Sequence, residues 1–237
     1  MQLDSWENIY EKGQQINRYP YGELVSVFFN SLKYLPASKN LSETKVLEVG
    51  CGAGNNLWFF AENDFRVFGI DGSKEAVKIA KEYLKHRGVE GNISHGFFDN
   101  LPYEDNSMDI IIDRESLYCG TIEDIKSYLE EIKRVLRSGG IFISFRFSDK
   151  SPVLEMLREG SAQGTQLDEC TWTDLTAGYE GTGVINFLRF EDIGTQYYFL
   201  ERKMISEHRN IKLSGDDAAI GSVYSEYIIV GINRVKD

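Results

Sequence analysis

Short apolar runs alternate with amphipathic stretches over residues 45–146. Runs rich in Val, Ile, Leu and Phe have the length of buried strands and cover residues 46–49, 66–70, 108–112 and 141–145, with a shorter strand predicted at 92–95. Between the runs, apolar residues recur at helical spacing, which predicts helices over 57–62, over 74–87 and from a Thr121 cap to Gly139. Strands that alternate with helices are typical of a parallel sheet covered by helices on both faces.

The segments that flank this alternation have a weaker pattern. Ahead of it, an Asp4-x-x-Glu7 start predicts a short helix, and Pro20 predicts the start of a second helix that ends at Pro36. Behind it, the pattern is lost from Phe147 to Gly183, a glycine-rich and acidic connection that is too long for a compact turn. A helix near 191–201 and two strands, 203–212 and 223–235, are predicted to follow.

The first strand leads into a glycine-dense turn, KVLEVGCGAGNN, at residues 45–56. Gly50, Gly52 and Gly54 stand at alternate positions, where missing side chains let the backbone turn sharply and approach a nucleotide-like ligand. The dinucleotide-binding fingerprint differs, since its third glycine comes three residues after the second. Glu48, just before the turn, would repel a pyrophosphate but suits a ligand with an ammonium or sulfonium group.

The residues Glu48-x-Gly50-x-Gly52-x-Gly54 resemble motif I of the class I S-adenosylmethionine-dependent methyltransferases, and EIKRVLRSGGIFISF at 131–145 is similar to a structural segment of that family. The resemblance implies an α/β fold with a doubly wound, mostly parallel seven-stranded sheet, Rossmann-like, whose last strand is antiparallel. It divides the chain into an N-terminal helical cap at 1–44, an S-adenosylmethionine-binding core at 45–146, a lid or substrate insertion at 147–189, and a helix with a strand pair at 190–237.

The cofactor contacts are predicted from the same elements. Asp71 ends the second strand about 20 positions after the glycine motif begins, where an acidic residue accepts the ribose hydroxyls. The family's adenine-binding aspartate falls on Phe97, so either Asp99 takes that role, or backbone amides near Phe98 and an aromatic ring bind adenine. The predicted cofactor-binding residues are Tyr10, Arg18, Tyr19, Glu48, Gly50, Cys51, Gly52, Gly54, Asn55, Asn56, Asp71, Gly72, Ser73, Phe98, Asp99, Asp113 and Arg114.

The end of the fourth strand faces the methyl group in the enzymes that this chain resembles. Glu115 and Tyr118 are therefore the candidate catalytic residues, for acceptor positioning or proton removal. An alternative is that Asp113 and Arg114 form an ion pair that fastens this loop. In the lid, Trp172 and Tyr179 are predicted either to line an acceptor pocket or to anchor the insertion on the core.

Composition narrows the function further. The chain has 237 residues and a net charge of −11, which disfavours a nucleic-acid partner because binding to phosphates relies on clustered Lys and Arg. Cys51, Cys119 and Cys170 lack the spacing of a metal site or a disulfide framework. The N-terminal residues have no basic start followed by an apolar core, and no run is long enough to span a bilayer. We expect a cytoplasmic protein without a metal or a membrane partner.

Three functions are compatible with these patterns. The first is methyl transfer from S-adenosylmethionine to a small-molecule acceptor by in-line displacement. The second is an S-adenosylmethionine-binding sensor or scaffold without turnover, which the replaced adenine aspartate favours. The third is an NAD-dependent oxidoreductase, which the glycine spacing and Glu48 disfavour.

Overall fold

A computed structural model of the protein describes residues 2–176, 178–209 and 225–234. Within them, the strands are β1 (Lys45–Val49), β2 (Arg66–Asp71), β3 (Asn92–His95), β4 (Met108–Arg114), β5 (Leu136–Phe147), β6 (Thr165–Gln166), β7 (Thr171–Thr173), β8 (Ile185–Asn186), β9 (Leu200–Arg209) and β10 (Ser225–Asn233). The α-helices are α1 (Gln2–Glu11), α2 (Gly22–Ser31), α3 (Leu57–Glu62), α4 (Lys74–Arg87), α5 (Ile122–Val135), α6 (Pro152–Glu159) and α7 (Ile193–Gln196).

Seven strands form one sheet in the order β3-β2-β1-β4-β5-β10-β9. Strands β1 to β5 are parallel, whereas β10 is antiparallel to both β5 and β9, so the prediction of a mostly parallel sheet with an antiparallel last strand is confirmed. The strand order reverses between β1 and β4. In such sheets a crevice for ligands opens at this point, beyond the carboxyl ends of the strands.

Helices cover both faces of the sheet because alternate residues of its strands are apolar on both sides. On one face, Val46 and Ile110 pack with Phe28 of α2 and Ala80 of α4. On the other face, the buried side chains of the strands pack with those of α5, and this core contains Leu47, Val49, Ile111, Phe142, Ile125, Leu129 and Ile132. Burial on both faces fixes the strand ends that carry the polar residues of the crevice.

Several element boundaries differ from the predictions. Helix α1 begins at Gln2 rather than at Asp4, and α2 follows an N-cap at Tyr21 and gives way to a 3₁₀ turn, Leu32–Tyr34, before Pro36. Helix α5 ends at Val135, so Gly139 lies within β5 rather than at a helix end. Helix ends fray and often tighten into 3₁₀ turns, so a capping or breaking residue locates them only approximately.

The helix predicted near 191–201 is wrong. A 3₁₀ turn, Phe190–Asp192, and the one-turn helix α7 stand there, and β9 already begins at Leu200. Gly194, Thr195 and Tyr197 have low helix propensity. In addition, Leu200 pairs with Asn233 in the sheet. The turn predicted between the last two strands lies outside the described residues.

The segment between β5 and β9 has structure of its own. It contains α6 and a three-stranded antiparallel sheet in the order β6-β7-β8. An apolar cluster that includes Leu154, Leu157, Trp172 and Phe187 fastens this sheet to α6 and to Phe147 at the end of β5. The insertion therefore stands over the carboxyl end of the main sheet.

Candidate functional site

The glycine turn after β1 adopts backbone conformations that favour glycine. Gly50, Gly52 and Gly54 have φ angles of 69°, 51° and 77°. A Cβ atom on Gly52 would lie 2.5 Å from the hydroxyl oxygen of Tyr10, and one on Gly54 would lie 3.1 Å from Cβ of Ala80 in α4. A Cβ atom on Gly50 would lie 2.2 Å from Cβ of Ser116. Gly50 therefore allows close approach of the loop after β4, Gly52 leaves room for Tyr10, and Gly54 allows close packing on α4.

Two adjoining cavities occupy the crevice. The larger, of about 810 Å³, is lined by Trp6, Tyr10, Gln15, Asn17, Tyr21, Glu48, Gly50, Cys51, Gly52, Ala53, Asn55, Asn56, Arg114, Glu115, Tyr118, Phe147, Pro152, Val153, Met156, Gly178, Tyr179 and Thr182. The smaller, of about 350 Å³, is lined by Trp6, Tyr10, Gly50, Asp71, Gly72, Ser73, Gly96, Phe97, Phe98, Asp99, Glu115, Ser116, Cys119 and Tyr128. Trp6, Tyr10, Gly50 and Glu115 border both and mark where the cavities meet.

Asp71 joins the glycine turn to the end of β2. One carboxylate oxygen, Oδ2, accepts a hydrogen bond from the Gly52 amide at 2.8 Å, and Oδ1 accepts one from the Ser73 amide at 2.9 Å. Burial raises the pKa of Asp71, and these two backbone hydrogen bonds oppose that rise. Because each carboxylate oxygen can accept two hydrogen bonds, Asp71 keeps acceptor capacity toward the smaller cavity.

Glu48 is a buried carboxyl group with one oxygen unpaired. Its Oε1 accepts a 2.6 Å hydrogen bond from Nδ2 of Asn56, while Oε2 is inaccessible and has no hydrogen-bond partner among the described residues. Burial raises the pKa of Glu48 to about 8. A cationic group in the larger cavity would supply both the missing partner and the compensating charge. The pair of cavities thus fits the ammonium end and the nucleoside end of S-adenosylmethionine.

The N-terminal helix covers the junction of the two cavities. Glu7 of α1 accepts hydrogen bonds from the Ser73 hydroxyl at 2.6 Å and from the Glu75 amide at 3.3 Å. These bonds tie α1 to the start of α4, and they place Trp6 and Tyr10 over the glycine turn.

The side chains of Arg18 and Tyr19 line neither cavity. Their carbonyl oxygens instead accept hydrogen bonds, from the Tyr83 hydroxyl at 2.5 Å and from Nδ2 of Asn55 at 3.0 Å, and the ring of Tyr19 is 73% exposed. In this structure the two residues fasten the loop after α1 through their backbone.

The far end of the smaller cavity contains the residues considered for adenine binding. Phe98 and Asp99 both line it, so both predicted modes of adenine recognition stay open. Phe97 also borders this cavity and is 40% exposed. The ring of Tyr128 from α5 meets the Phe98 ring edge-on, with centroids 5.5 Å apart, and adds an aromatic surface there.

The loop after β4 is fixed by Asp113. This carboxylate is fully buried and lines neither cavity; its Oδ1 accepts hydrogen bonds from the amides of Ser116 and Leu117 at 2.9 and 3.0 Å, and its Oδ2 accepts one from the Ser144 hydroxyl at 2.7 Å. Asp113 therefore shapes the loop rather than facing a ligand.

Arg114 lies beside two other carboxylates instead of pairing with Asp113. Its Nη1 is 2.5 Å from Oε2 of Glu115 and 3.6 Å from Oε2 of Glu226, and its guanidinium carbon lies 4.3 Å from the centroid of the Tyr21 ring. The alternative of an Asp113–Arg114 ion pair is thus replaced by a cluster in which Arg114 holds Glu115 at the cavity wall.

The two candidate catalytic residues both reach the larger cavity. Glu115 has a φ of 51°, and Tyr118 stacks on Phe147 with ring centroids 4.5 Å apart. Complete burial raises the pKa of Tyr118 well above its ordinary value, so its hydroxyl stays neutral at physiological pH. Tyr179 lines the cavity, whereas Trp172 lies in the apolar cluster of the insertion.

Several lining residues were not predicted from the sequence. Phe147 ends β5, so the rule that ligands lie at the carboxyl ends of parallel strands could have found it. Trp6, Tyr21 and Met156 carry no such signal, because tertiary packing alone brings them to the cavities. The same holds for Glu226, which lines neither cavity but lies beside Arg114.

The described segments contain neither a cluster of metal-ligating side chains nor a helix suited to cross a membrane. No group of three or more His, Cys, Asp or Glu side chains is arranged to hold a metal ion there. In the same segments, none of the helices combines the length and apolar character that a membrane crossing requires.

Comparison with known proteins identifies the family. Residues 40–191 match the family model described as a methyltransferase domain. An uncharacterized methyltransferase of Bacillus subtilis, YcgJ, is 31% identical over 116 residues, which are 48% of this chain and 45% of YcgJ. Ajmaline N-methyltransferase of Rauvolfia serpentina is 27% identical over 171 residues, 65% of this chain and 58% of that enzyme. The chain thus spans about half the length of these curated relatives.

The fold agrees with this family assignment. A solved S-adenosylmethionine-dependent methyltransferase from Methanosarcina mazei superimposes with a TM-score of 0.70 at 15% identity, over 92% of this chain and 100% of that one. This likeness concerns the fold alone, and it agrees with the sheet order. Because the family match covers more than half of the chain, the protein belongs to the methyltransferase-domain family of class I S-adenosylmethionine-dependent methyltransferases.

Proposed function

We propose that this protein transfers a methyl group from S-adenosylmethionine to a small-molecule acceptor by in-line displacement. The observation that carries the proposal is the unpaired, buried Oε2 of Glu48 beside a glycine turn that opens into two joined cavities. When bound, S-adenosylmethionine supplies a methyl group on a positively charged sulfur. Glu48 would hold its ammonium group, Asp71 its ribose hydroxyls, and Phe98 or Asp99 its adenine.

The protein's own contribution is alignment and exclusion of water. Since the donor methyl group is already activated, good orientation of the acceptor can lower the barrier by about 7–11 kcal/mol in favourable cases. Glu115 and Tyr118 on the loop after β4, together with Trp6 and Tyr10 of α1, surround the place where the cavities meet. These side chains can orient an acceptor and keep water from the reacting atoms.

A small acceptor agrees with the dimensions and the charge of the site. A cavity of about 810 Å³ lies in the range typical of small-molecule pockets. Two curated relatives carry the names of compounds rather than of a nucleic acid or a protein, ajmaline N-methyltransferase and phthiotriol/phenolphthiotriol dimycocerosates methyltransferase. The net charge of −11 argues against a nucleic-acid acceptor.

Calorimetry with S-adenosylhomocysteine, the demethylated product, tests the cofactor site. We expect it to bind, and we expect Asp71→Ala to weaken binding at least about tenfold, since this change removes a charged hydrogen-bonding group. Glu90→Ala removes an exposed carboxylate away from the cavities and should leave the affinity unchanged. Binding of NADH in place of S-adenosylhomocysteine would refute the proposal. Binding without methyl transfer to any fraction of a metabolite extract would favour the sensor function instead.

A further inference from the structure

One wall of the larger cavity is aromatic and apolar. The rings of Tyr118 and Phe147 are 4.5 Å apart, and the ring of Tyr179 meets Phe147 edge-on with centroids 5.6 Å apart. Val153 and Met156 of α6 complete this wall. Aromatic faces of this kind attract cations, and they also bind flat or branched apolar groups.

One polar group on this wall has an unused hydrogen-bonding atom. Oε2 of Glu115 is held by Arg114, but Oε1 is buried and has no hydrogen-bond partner among the described residues. Glu226, which is 2% exposed, also lies beside Arg114, and burial raises its pKa to about 8. The charge of Arg114 is therefore matched by Glu115.

The backbone of Glu115 is held in an uncommon conformation. Its φ of 51° lies in the left-handed region, which costs a residue with a side chain roughly 1–2 kcal/mol. The hydrogen bonds of Asp113 to the Ser116 and Leu117 amides, and that of the Glu115 amide to the Phe145 carbonyl at 3.2 Å, maintain this turn. Strain that is maintained in this way is typical of functional positions, and here it keeps Glu115 at the junction of the two cavities.

We propose that the acceptor is a basic amine carried on an apolar body, with its nitrogen bound at Oε1 of Glu115 and its body against Tyr118, Phe147 and Tyr179. This inference rests on the proposed methyltransferase function. A carboxylate and several aromatic faces around one point are the chemistry that recognises an ammonium group.

The same groups serve the chemical step. The acceptor ammonium gives a proton to Oε1 of Glu115, which leaves a lone pair on nitrogen. That lone pair forms the new carbon–nitrogen bond while the carbon–sulfur bond breaks and its electron pair stays on sulfur. Positive charge therefore moves from sulfur to nitrogen, where the aromatic faces stabilise it. Glu115 returns its proton to solvent when the methylated ammonium leaves.

Other acceptor classes fit this end of the cavity less well. A carboxylate or phosphate acceptor would be repelled by Glu115. An aliphatic hydroxyl holds its proton about as tightly as water does, far more tightly than an ammonium, whose pKa is about 10 or lower. Proton removal by a carboxylate is therefore much less unfavourable for an amine than for an alcohol.

Four ligands that share one phenylethyl body test the assignment on protein loaded with S-adenosylhomocysteine. These are 2-phenylethylamine, 2-phenylethanol, 2-phenylethanethiol and 3-phenylpropanoate. We expect the amine to bind at least about tenfold more tightly than the other three, and Glu115→Gln to remove that preference while keeping the side-chain shape. Glu201→Gln, at a carboxylate of β9 with 63% of its side chain exposed, is the matched control and should keep the preference.

The outcomes separate this inference from the proposed function. Failure of the amine to bind, tighter binding of the alcohol, thiol or carboxylate, or an amine affinity unchanged in Glu115→Gln would overturn the amine assignment while leaving the cofactor site intact. Failure of the unmodified protein to bind S-adenosylhomocysteine would overturn the proposed function itself. If Glu115→Gln does not fold, the ranking of the four ligands on the unmodified protein still decides, and Glu115→Asp keeps the charge on a shorter side chain.

Discussion

The buried carboxyl group of Glu48 can make ligand binding and stability depend on pH. Burial raises its pKa to about 8, and the hydrogen bond from Asn56 opposes this rise. The folded protein therefore holds a proton on Glu48 between pH 4.5, the ordinary value, and pH 8, while the unfolded chain does not. The contribution of Glu48 to the free energy of unfolding accordingly falls as the pH rises through that window.

We predict that S-adenosylhomocysteine binding releases a proton from Glu48. The ligand ammonium would favour the ionised carboxyl and lower its pKa, so that the affinity should increase as the pH rises from 6 toward 8. Calorimetry at pH 7 in buffers with different ionisation enthalpies measures the released proton. Glu48→Gln should bind more weakly and lose this buffer dependence.

Two results would contradict the predicted release of a proton from Glu48. Proton uptake on binding, or the same buffer dependence in Glu48→Gln, would show that another group titrates. Glu104→Gln changes an exposed carboxylate of the β3–β4 connection in the same way and should behave like the unmodified protein.

At the scale of elements, α1 and α4 form the entrance to the site together. Ser73 caps α4 by accepting a hydrogen bond from the Ala76 amide, and its hydroxyl donates to Glu7 of α1. This hydrogen bond is the main cause of the lowered pKa of Glu7, so the ionised form stabilises the docked helix. An N-cap of the core thus also holds the covering helix.

We predict that Glu7→Ala loosens α1 and weakens S-adenosylhomocysteine binding about threefold to tenfold, because one or two hydrogen bonds of ordinary strength are lost. Hydrogen exchange should become faster over residues 2–11, and calorimetry should show the loss of affinity. Glu11→Ala removes an exposed carboxylate from the same helix and should change neither. Unchanged exchange over α1 in Glu7→Ala would mean that Trp6 and Tyr10 suffice to dock the helix.

At the scale of the whole molecule, buried hydrogen bonds join the insertion to the loop after β4. The side chain of Asn186 in β8 accepts a 2.8 Å hydrogen bond from Nη2 of Arg146 and donates one of 2.8 Å to the Thr171 hydroxyl. The backbone N–H of Asn186 donates a hydrogen bond to the Tyr118 carbonyl at 2.9 Å. Arg146 is fully buried on β5. Asn186 therefore holds Arg146 and Thr171 through its side chain and the Tyr118 carbonyl through its backbone N–H.

We predict that Asn186→Ala loosens the small sheet without damaging the cofactor end. The change leaves the buried guanidinium of Arg146 short of a partner, which should lower the free energy of unfolding by about 1–3 kcal/mol. Hydrogen exchange should accelerate over β7 and β8, while residues 114–118, which the backbone N–H of residue 186 still holds, and the affinity for S-adenosylhomocysteine change little. Asn30→Ala, at an exposed position of α2, should leave exchange in these segments unaltered. Acceleration spread evenly over the sheet would contradict a local role.

The predictions that succeeded depended on local patterns. The apolar runs located β1 to β5, because strands buried on both faces must be apolar on both faces. Spacing also predicted that Asp71 lies beside the glycine motif, and its carboxylate accepts a 2.8 Å hydrogen bond from the Gly52 amide, whereas its contact with a ribose stays a prediction. The helix expected near 191–201 failed because pairing of Leu200 with Asn233 outweighs a weak helical preference.

The sequence by itself determined the fold class and brought together the glycine turn, Glu48 and Asp71, since they lie on consecutive elements whose geometry is local. Only the tertiary structure decided what surrounds Glu115, the residue at which we propose that the acceptor binds. Glu226 lies 111 positions after Glu115, and nothing in the intervening chain signals that Arg114 links them. The partners of a buried charge depend on which strands become neighbours, and long-range packing settles that.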